Sequence, residues 1–546
     1  MAARGFSAKV TPEQHAAALK LDDPLLMRTQ GFIGGEWVDA DSGATVDVID
    51  KATGQVIATV PDMGLAETRR AIEAANAAWD GWKSRTGKER SAVIRKWYEL
   101  ICEHEMDLAR LMTAECGKPL AESVGEIRYG AAFVEWFAEE AKRSYGEWIP
   151  PDRADNHIVV IKQPIGPVAA VTPWNFPSAM ITRKVSPAIA VGCPVIIKPS
   201  ELTPYSCLGL IELANRAGVP AGIFSAVTGS AASTPSIGEE MCTNPLVRKV
   251  AFTGSTAVGK KLAAQSASTV KKVALELGGN APLIVFDDAD LDVAIKGAMA
   301  SKFRNAGQTC VCANRILVQE GIYDAFAAKL TETVAAMKTG IGTEEGVVIG
   351  PLVNSQAVDK VDRHVTDAVS KGAKVLCGGM RLPELGEGFF APTVLSGMTP
   401  SMQLFSEETF GPVAGLFKFK TEEEAIKMAN DTPYGLAGYF FTKDMKRSWR
   451  ERSSDPPRSR LFGPEHAPSA SFCTLHQIYH QASPDCPPHT CPAILLIERL
   501  TSHHRCVGGT RFWHNWCERR HYFNRSSAFW RCQGKWTWPR RIASWH

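Results

Sequence analysis

The sequence predicts an α/β fold built on parallel sheets, and three observations support this prediction. Short apolar strands alternate with helical segments such as 203–217, and these strands lie at 168–171, 195–197, 224–227 and 250–252. Apolar strands separated by helices are typical of a parallel sheet that is covered on both faces. The pattern repeats in residues 281–440, with helices predicted at 289–301, 321–338 and 355–371. A chain of 546 residues is also too long for one small core, so we expect two or three domains.

The segments before this run predict strands, then helices, then a hairpin. Residues 31–60 alternate and turn, which predicts short strands. From 65 to 145 the pattern is helical, with one apolar stripe at Ile94, Trp97, Tyr98 and Ile101. We interpret this stripe as core packing, not as a cofactor site. The segment 146–167 has a short apolar run between proline-rich ends, which predicts a protruding hairpin.

A glycine turn follows the last of the four strands. Its sequence is GSTAVG, at 254–259, and no Gly-x-Gly-x-x-Gly follows the first strand. A strand that ends in glycine and opens a helix leaves backbone N–H groups available to a phosphate. Taken alone the signal is weak, because any strand-to-helix turn has a similar appearance.

The composition is that of a globular protein and argues against two classes of partner. Hydrophobic residues make up 45% of the chain and charged residues 22%, as in ordinary folded domains. No apolar run reaches the roughly 18 residues of a membrane span. Residues 1–450 carry 48 basic and 52 acidic side chains, a balance of −4, so we expect no nucleic-acid partner. Their eight cysteines show no spaced framework, which suits a reducing compartment.

Cys310 is the candidate nucleophile. It lies in a loop of small and polar residues, NAGQTCVC at 305–312, where a thiolate has room to meet a substrate. A lone cysteine is more often a half-buried structural thiol. Acyl chemistry through a thiolate also needs oxyanion donors and a base. Asn175, held between two prolines in TPWNFP, is the candidate donor, and Glu276, before Leu-Gly-Gly, is the candidate base for a deacylating water. Standing alone, either would more simply be a turn residue or a surface charge.

Five ordered motifs together resemble those of the aldehyde dehydrogenase superfamily. They lie at 172–177, 252–255, 275–282, 303–312 and 407–412, and the resemblance runs from about 30 to 450. Within the family, the strings AMITRK (179–184), KFRN (302–305) and CVC (310–312) are most similar to succinate-semialdehyde dehydrogenases of the plant or bacterial kind.

The resemblance implies a domain arrangement. It implies a Rossmann-type NAD-binding domain from 1–145 and 168–280, an oligomerisation hairpin at 146–167, and an α/β catalytic domain at 281–450. Family members are homo-tetramers in which the hairpin and a final strand pair with neighbouring subunits. Plant-type relatives imply the mitochondrial matrix, but the N-terminus is a poor transit peptide, so the cytoplasm is the alternative.

The resemblance also implies a mechanism and a set of site residues. Cys310 attacks the aldehyde, Asn175 and the Cys310 N–H hold the oxyanion, NAD accepts hydride, and Glu276 activates the water that releases the acid. The residues that it assigns to NAD are Lys198 and Glu201 at the adenosine ribose, Gly254 and Ser255 near the pyrophosphate, and Glu408 and Phe410 near the nicotinamide ribose. Trp174 is assigned to the cofactor without a particular part of it.

Substrate and regulation follow from the same resemblance. Arg183 and Arg304 match the family's carboxylate-binding arginines, which implies succinate semialdehyde, an intermediate of 4-aminobutyrate degradation; one of them could instead serve an internal salt bridge. Glu201 favours NAD over NADP, since a carboxylate repels a 2′-phosphate. The Cys-x-Cys spacing predicts a reversible disulfide between Cys310 and Cys312 that switches the enzyme off.

The resemblance ends near 450, and a different kind of sequence follows. Residues 451–546 hold nine of the 13 histidines, six of the 14 cysteines and a charge balance of +7. We expect this tail to be largely disordered and non-homologous, with the last part of the catalytic domain missing. Possible metal ligands in it fit no zinc-finger spacing, so no metal is predicted: Cys486, Cys491, His503, His504 and Cys506. One alternative is therefore an inactive or scaffold-like product with an intact cofactor fold, monomeric or aggregated. The other is an aldehyde dehydrogenase for another small aldehyde.

Overall fold

The structure, a computed structural model, describes residues 17–452, 473–477 and 495–500. Before residue 280 the elements are, in order, β1 (Gly31–Ile33), β2 (Glu36–Val38), β3 (Thr45–Ile49), β4 (Val56–Pro61), α1 (Leu65–Lys83), α2 (Gly87–Glu103), α3 (Glu105–Cys116), α4 (Leu120–Glu140), β5 (Glu147–Ile149), β6 (Ile158–Val160), β7 (Val168–Val171), α5 (Ala179–Ala190), β8 (Val195–Lys198), α6 (Pro204–Arg216), β9 (Phe224–Ala226), α7 (Thr234–Thr243), β10 (Lys249–Thr253), α8 (Thr256–Ala267) and β11 (Lys272–Glu276).

The second half continues the alternation of strands and helices. Its elements are β12 (Ala281–Val285), α9 (Leu291–Lys302), β13 (Ala313–Gln319), α10 (Tyr323–Ala335), β14 (Lys338–Thr339), β15 (Val347–Ile349), α11 (Ser355–Ser370), β16 (Lys374–Cys377), β17 (Thr393–Met398), α12 (Gln403–Ser406), β18 (Val413–Phe419), α13 (Glu422–Asn430), β19 (Ala437–Phe441), α14 (Met445–Arg452), β20 (Cys473–Gln477) and β21 (Leu495–Leu500).

The first sheet has seven strands in the order β11-β10-β7-β8-β9-β1-β2. The five strands from β11 to β9 are parallel, which confirms the predicted parallel sheet. Two features of this sheet were not predicted: β11 closes one edge, and β1 joins the other edge antiparallel to β9, through Phe32 and Ala226. These two residues are far apart in the chain, so no local pattern announces their pairing.

The second sheet has the order β16-β17-β18-β13-β12-β19-β21-β20. Two of its inner strands, β12 and β19, are buried along their whole length. The hydrophobic core of this sheet contains residues from 281 to 441, and the cores of the first sheet contain residues from 21 to 262. Each sheet therefore has its own core, as an α/β fold of two layered units requires.

The helical stripe and the hairpin both form. Ile94, Trp97 and Ile101 are fully buried, and the Trp97 indole donates to the carbonyl of Leu210 at 3.0 Å, which confirms the assignment of the stripe to the core. Strands β5 and β6 pair antiparallel with each other, and all six of their residues are exposed. Among the helices that the structure describes, none is long and apolar enough to cross a membrane.

Most of the tail, 451–546, lies outside the described residues, as do the cysteines and histidines that were considered as metal ligands. Two short strands within it are described. Strand β21 pairs antiparallel with β19, and β20 pairs antiparallel with β21. The sequence reason is the run Leu-Leu-Ile at 495–497, because apolar and β-branched residues favour strands.

Candidate active site

The first sheet has a topological switch point beside β7. From β7 the chain continues to β8 and β9 on one side and then returns to β10 on the other. In open α/β sheets, ligands bind in the crevice outside the carboxyl ends of the strands at such a point. The segment that begins at Thr172 follows β7, and Gly254 follows β10. The fold thus brings two of the predicted motifs to one crevice.

The turn after β10 has the features of a phosphate site. Ser255 caps helix α8, and its Oγ accepts the N–H of Val258 at 3.4 Å. The Gly254 N–H donates to the carbonyl of Glu276 at 3.0 Å, and a Cβ on Gly254 would lie 2.5 Å from the Phe252 ring. The remaining N–H groups of the first turn of α8 can bind an anion. This turn fits the pyrophosphate of a nicotinamide dinucleotide.

Lys198 and Glu201 lie beside this crevice at the end of β8. Lys198 is 2% exposed, and its Nζ lies 3.3 Å from Oε2 of Glu201. Burial lowers the pKa of the Lys198 ammonium, and the Glu201 carboxylate opposes that effect. A carboxylate acceptor and an ammonium donor at the end of a strand fit the hydroxyl groups of a ribose.

The loop before Cys310 has a strained backbone. It includes a short 3-10 turn, Arg304–Gly307, in which Asn305 and Ala306 both have φ of 53°. Non-glycine residues rarely take this conformation, and such strain persists only where the surroundings enforce it. Gly307 has φ of 75°, and a Cβ there would lie 2.1 Å from the carbonyl oxygen of Gly411. Glycine is therefore required at this position.

Hydrogen bonds from two other segments hold this loop. The Asn305 N–H donates to Oε2 of Glu122 at 2.8 Å, and its Nδ2 donates to the carbonyl of Asn175 at 2.8 Å. The Asn175 Nδ2 donates in turn to the carbonyl of Gln308 at 3.0 Å. The Asn175 side-chain amide has two N–H bonds. Because one of them is bound to Gln308, the direction of the second N–H is fixed. The structure therefore brings Asn175 to the loop of Cys310, as an oxyanion donor requires.

The two cysteines of the loop differ in accessibility. Cys310 is half-buried, whereas Cys312 is 6% exposed. The Cys312 Sγ donates to the carbonyl of Lys302 at 3.2 Å, and burial raises the pKa of its thiol, against the effect of the Lys302 ammonium. Of the two thiols, Cys310 is the one that a substrate can reach.

Glu276 is the last residue of β11, and the segment after it contacts the loop of Cys310. A Cβ on Gly279 would lie only 2.2 Å from the carbonyl oxygen of Cys310, so the backbone after Glu276 packs directly on that loop. Burial lowers the pKa of Lys184 to about 8, and the Glu276 carboxylate acts to raise it. Lys184, on α5, is thus a charged neighbour of the candidate base that sequence reasoning missed. Its only signal was its position directly after Arg183.

Glu408 and Phe410 contact the segments that follow β11 and β7. Oε1 of Glu408 accepts the Gly279 N–H at 3.0 Å, and burial raises the pKa of the carboxyl. Phe410 has φ of 56°, and its ring meets Trp174 edge to face at 5.7 Å. These contacts link the 407–412 motif to the segments after β7 and β11, and they leave Glu408 near the predicted base.

Arg183 and Arg304 each lie beside an aromatic ring. The Arg183 guanidinium lies 4.8 Å from the centre of the Phe133 ring. Its Nη2 donates to the Tyr129 hydroxyl, and its buried Nε has no hydrogen-bond partner among the described residues. Arg304 is exposed and lies 5.0 Å above the Phe176 ring. Each has donors that can meet a carboxylate.

Comparisons with known proteins agree with this geometry. A sequence profile of the aldehyde dehydrogenase family matches residues 37–453. Glutarate-semialdehyde dehydrogenase of Pseudomonas putida is 59% identical over 79% of this chain and 89% of its own length. The mitochondrial succinate-semialdehyde dehydrogenase of Oryza sativa is 57% identical, over 80% of this chain and 82% of its own.

Solved structures give the same result. The crystal structure of succinate-semialdehyde dehydrogenase from Burkholderia pseudomallei has a TM-score of 0.77 at 58% identity, covering 79% of this chain and 88% of that one. An E. coli NADP-dependent enzyme has a TM-score of 0.78 at 56% identity, covering 79% and 89%. The chain belongs to the aldehyde dehydrogenase family, whose members are oxidoreductases that use a nicotinamide cofactor.

Proposed function

We propose that this chain oxidises succinate semialdehyde to succinate with NAD. The observation that carries the choice of substrate is the pair Arg183 and Arg304 beside the rings of Phe133 and Phe176. A buried guanidinium nitrogen without a partner costs free energy, and Arg183 Nε is such an atom within the described residues. A substrate carboxylate would supply the missing acceptor in a charge-assisted hydrogen bond.

The names of the relatives support an aldehyde with a second, anionic group. They include succinate-semialdehyde, glutarate-semialdehyde and 3-sulfolactaldehyde dehydrogenases. Glutarate semialdehyde is the second candidate substrate, because the relative from Pseudomonas putida that acts on it is 59% identical. The two substrates differ by one methylene group, so the same arginines would bind either one.

In the proposed mechanism the Cys310 thiolate attacks the aldehyde carbon. The negative oxygen of the resulting thiohemiacetal accepts hydrogen bonds from the Asn175 amide and the Cys310 backbone N–H. The nicotinamide, when bound, supplies the hydride acceptor that oxidises this adduct to a thioester. Glu276 then takes a proton from water, which attacks the thioester and releases the acid. Cys312 is buried and takes no part in these steps.

We propose that the cofactor binds the crevice at the switch point of the first sheet, so that 1–145 with 168–280 forms the NAD-binding domain and 281–450 supplies the nucleophile. Ser255 and the first turn of α8 would hold the pyrophosphate, and Lys198 and Glu201 the adenosine ribose. Glu408 and Phe410 would lie near the nicotinamide ribose. NAD is preferred in this proposal because the Glu201 carboxylate repels a 2′-phosphate.

A comparison of three aldehydes tests the substrate. Succinate semialdehyde, glutarate semialdehyde and butanal should be assayed with the parent chain and with Arg183→Met and Arg304→Met. We expect a high ratio of kcat/KM for succinate semialdehyde over butanal in the parent, and a ratio near one in the variants. A parent that oxidises butanal equally well would overturn the role of the arginines. NAD binding without any aldehyde oxidation would favour the inactive, scaffold-like alternative.

A further inference from the structure

A buried ion pair lies directly behind the Asn175 loop. Lys118 follows helix α3 and Glu126 lies in α4; the ammonium and the carboxylate are in contact, and both side chains are 1% exposed. A buried ion pair contributes little net stability, because desolvation offsets the attraction between the charges. Two hydrophobic side chains would pack three helices at least as well. Stability alone therefore does not account for a charged pair at this position.

Each member of the pair makes a second contact with the segment that carries Asn175. The Lys118 Nζ donates to the carbonyl of Asn175 at 2.9 Å. Oε1 of Glu126 accepts the N–H groups of Ser178 at 2.9 Å and Ala179 at 3.2 Å. Those N–H groups open helix α5, where a carboxylate also interacts favourably with the helix dipole. The pair thus holds the backbone on both sides of the Phe176 ring, over which the Lys118 ammonium lies at 4.3 Å.

The carbonyl of Asn175 is fixed by two donors. One donor is the Lys118 ammonium. The other is Nδ2 of Asn305, a residue of the Cys310 loop, which lies 2.8 Å from the Asn175 carbonyl oxygen. Burial acts to lower the pKa of the Lys118 ammonium, but Glu126, Cys116 and Glu122 together outweigh burial, and the net shift of the pKa is upward. The donor therefore stays charged and its hydrogen bond is charge-assisted. A rotation of the Asn175 peptide would break both bonds, so the backbone that carries the side chain is held, and the bond from Asn175 Nδ2 to the carbonyl of Gln308 at 3.0 Å then sets the direction of the amide.

We propose that Lys118 and Glu126 are positioning residues for the oxidation, which set the backbone of Asn175 and so aim its amide at the oxyanion formed on Cys310. This inference rests on the proposed role of Asn175 as an oxyanion donor. The ion pair touches neither the substrate nor the nucleophile and acts through Asn175. The competing hypothesis is that the pair only ties α3, α4 and α5 together.

A double-mutant cycle in the full-length chain distinguishes these two hypotheses. The first variant is Lys118→Met with Glu126→Leu, which removes both charges and avoids leaving one of them buried alone. The second is Asn175→Ala, and the third combines all three substitutions. The readouts are kcat with succinate semialdehyde and NAD, the melting temperature, and the rate at which iodoacetamide alkylates Cys310. Alkylation needs no oxyanion donor and reports only on the thiolate.

We expect kcat of Lys118→Met/Glu126→Leu to fall. The loss should not exceed the roughly 10²–10³-fold decrease that follows removal of one oxyanion donor. The alkylation rate should stay near that of the parent. Because both changes act through one amide, the combined variant should be no slower than Asn175→Ala alone. The control is Arg28→Met with Glu212→Leu, which removes an ion pair of 2.9 Å outside the site, with side chains 30% and 5% exposed. It should lower the melting temperature and leave kcat unchanged.

Parental kcat in Lys118→Met/Glu126→Leu, or losses that multiply in the combined variant, would overturn the positioning role alone. Parental kcat in Asn175→Ala would overturn the oxyanion role, and this inference with it. Should the double substitution prevent folding, Lys118→Gln with Glu126→Gln replaces it in the same cycle, since it too leaves no charge buried alone. The amide oxygen at position 126 can still accept from Ser178 and Ala179, but the charge-assisted bond to the Asn175 carbonyl is lost, so kcat should fall, again without multiplying the loss from Asn175→Ala.

Discussion

The side-chain amide of Asn175 donates a hydrogen bond of 3.0 Å to the carbonyl oxygen of Gln308, two residues before Cys310. This bond joins the loop after β7 of the first sheet to the loop before β13 of the second. Gln308 is itself fixed, because its Oε1 accepts the N–H of Val353 at 2.9 Å and its Nε2 donates to the carbonyl of Asn305 at 3.1 Å. The direction of the Asn175 amide is therefore set before any substrate arrives.

Asn175→Ala should lower kcat by roughly 10²–10³-fold, because one preorganised oxyanion donor is lost. Steady-state kinetics with succinate semialdehyde and saturating NAD measure the effect. Asn244→Ala, which removes an amide that bonds to Glu240 at 2.8 Å on helix α7, is a control outside the site and should leave kcat unchanged. Equal kcat in the parent and Asn175→Ala would contradict the assignment.

Lys184 predicts a pH dependence of deacylation. Burial lowers the pKa of its ammonium to about 8, against the opposing effect of Glu276. Below about pH 8 the Lys184 ammonium stabilises the anionic form of the Glu276 carboxylate, which makes that carboxylate a weaker base. Above this pH Lys184 is neutral and no longer weakens the base. The deacylation rate should therefore rise as the pH passes through about 8. Lys184→Met should lack this step, which rapid-mixing measurements across the range can show. A step of equal size in both proteins would assign the titration to another group.

Glu201 predicts the preference between the two nicotinamide cofactors. Its carboxylate repels a 2′-phosphate and also engages Lys198 at 3.3 Å. Glu201→Gln removes the repulsion and leaves Lys198 available to the phosphate, so we expect the NAD/NADP ratio of kcat/KM to fall by about tenfold, or about 1.4 kcal/mol. Equal efficiency of the parent with NAD and NADP would show that Glu201 does not select the cofactor.

Cys312 predicts reversible inactivation by peroxide. Oxidation of the Cys310 and Cys312 thiols to a disulfide removes the nucleophile, and dithiothreitol should restore it. Because Cys312 is buried with its Sγ on the carbonyl of Lys302, the loop must rearrange, and inactivation should be slow. Cys312→Ala should lose activity more slowly than the parent. Loss that dithiothreitol cannot reverse, or an equal rate in Cys312→Ala, would point to another lesion.

The sequence was sufficient to single out the residues that lie in motifs, and their catalytic roles stay predictions. Cys310, Asn175 and Glu276 each stand in a short string that also contains small residues or prolines; the burial of Asn175, which is 4% exposed, could not be read from that string. The parallel strands could also be predicted, because short apolar runs between helical segments are typical of strands in a covered sheet. The structure then brought the strings together at the switch point and at the contact of Gly279 with Cys310.

Residues that act across long separations could not be predicted. Lys118 is 57 residues from Asn175 in the chain, and Glu122 is 183 residues from Asn305. Nothing in their local sequences distinguishes these charges from the many solvated charges on helices. The pairing of β1 with β9 was missed for the same reason, since one short contact joins them. The sequence around a residue does not indicate its distant partners in the chain, whereas a loop motif can be recognised from its own neighbouring residues.

Mass spectrometry of the Glu276→Gln variant, mixed with NAD and succinate semialdehyde, tests most directly whether Cys310 is the nucleophile. Without the base that activates water, the thioester should accumulate after a single turnover. We expect a burst of NADH and a succinyl group on the peptide that carries Cys310, and neither product when Cys310 is also replaced by alanine. A succinyl group on Cys312, or NADH formation by Cys310→Ala, would contradict the assignment.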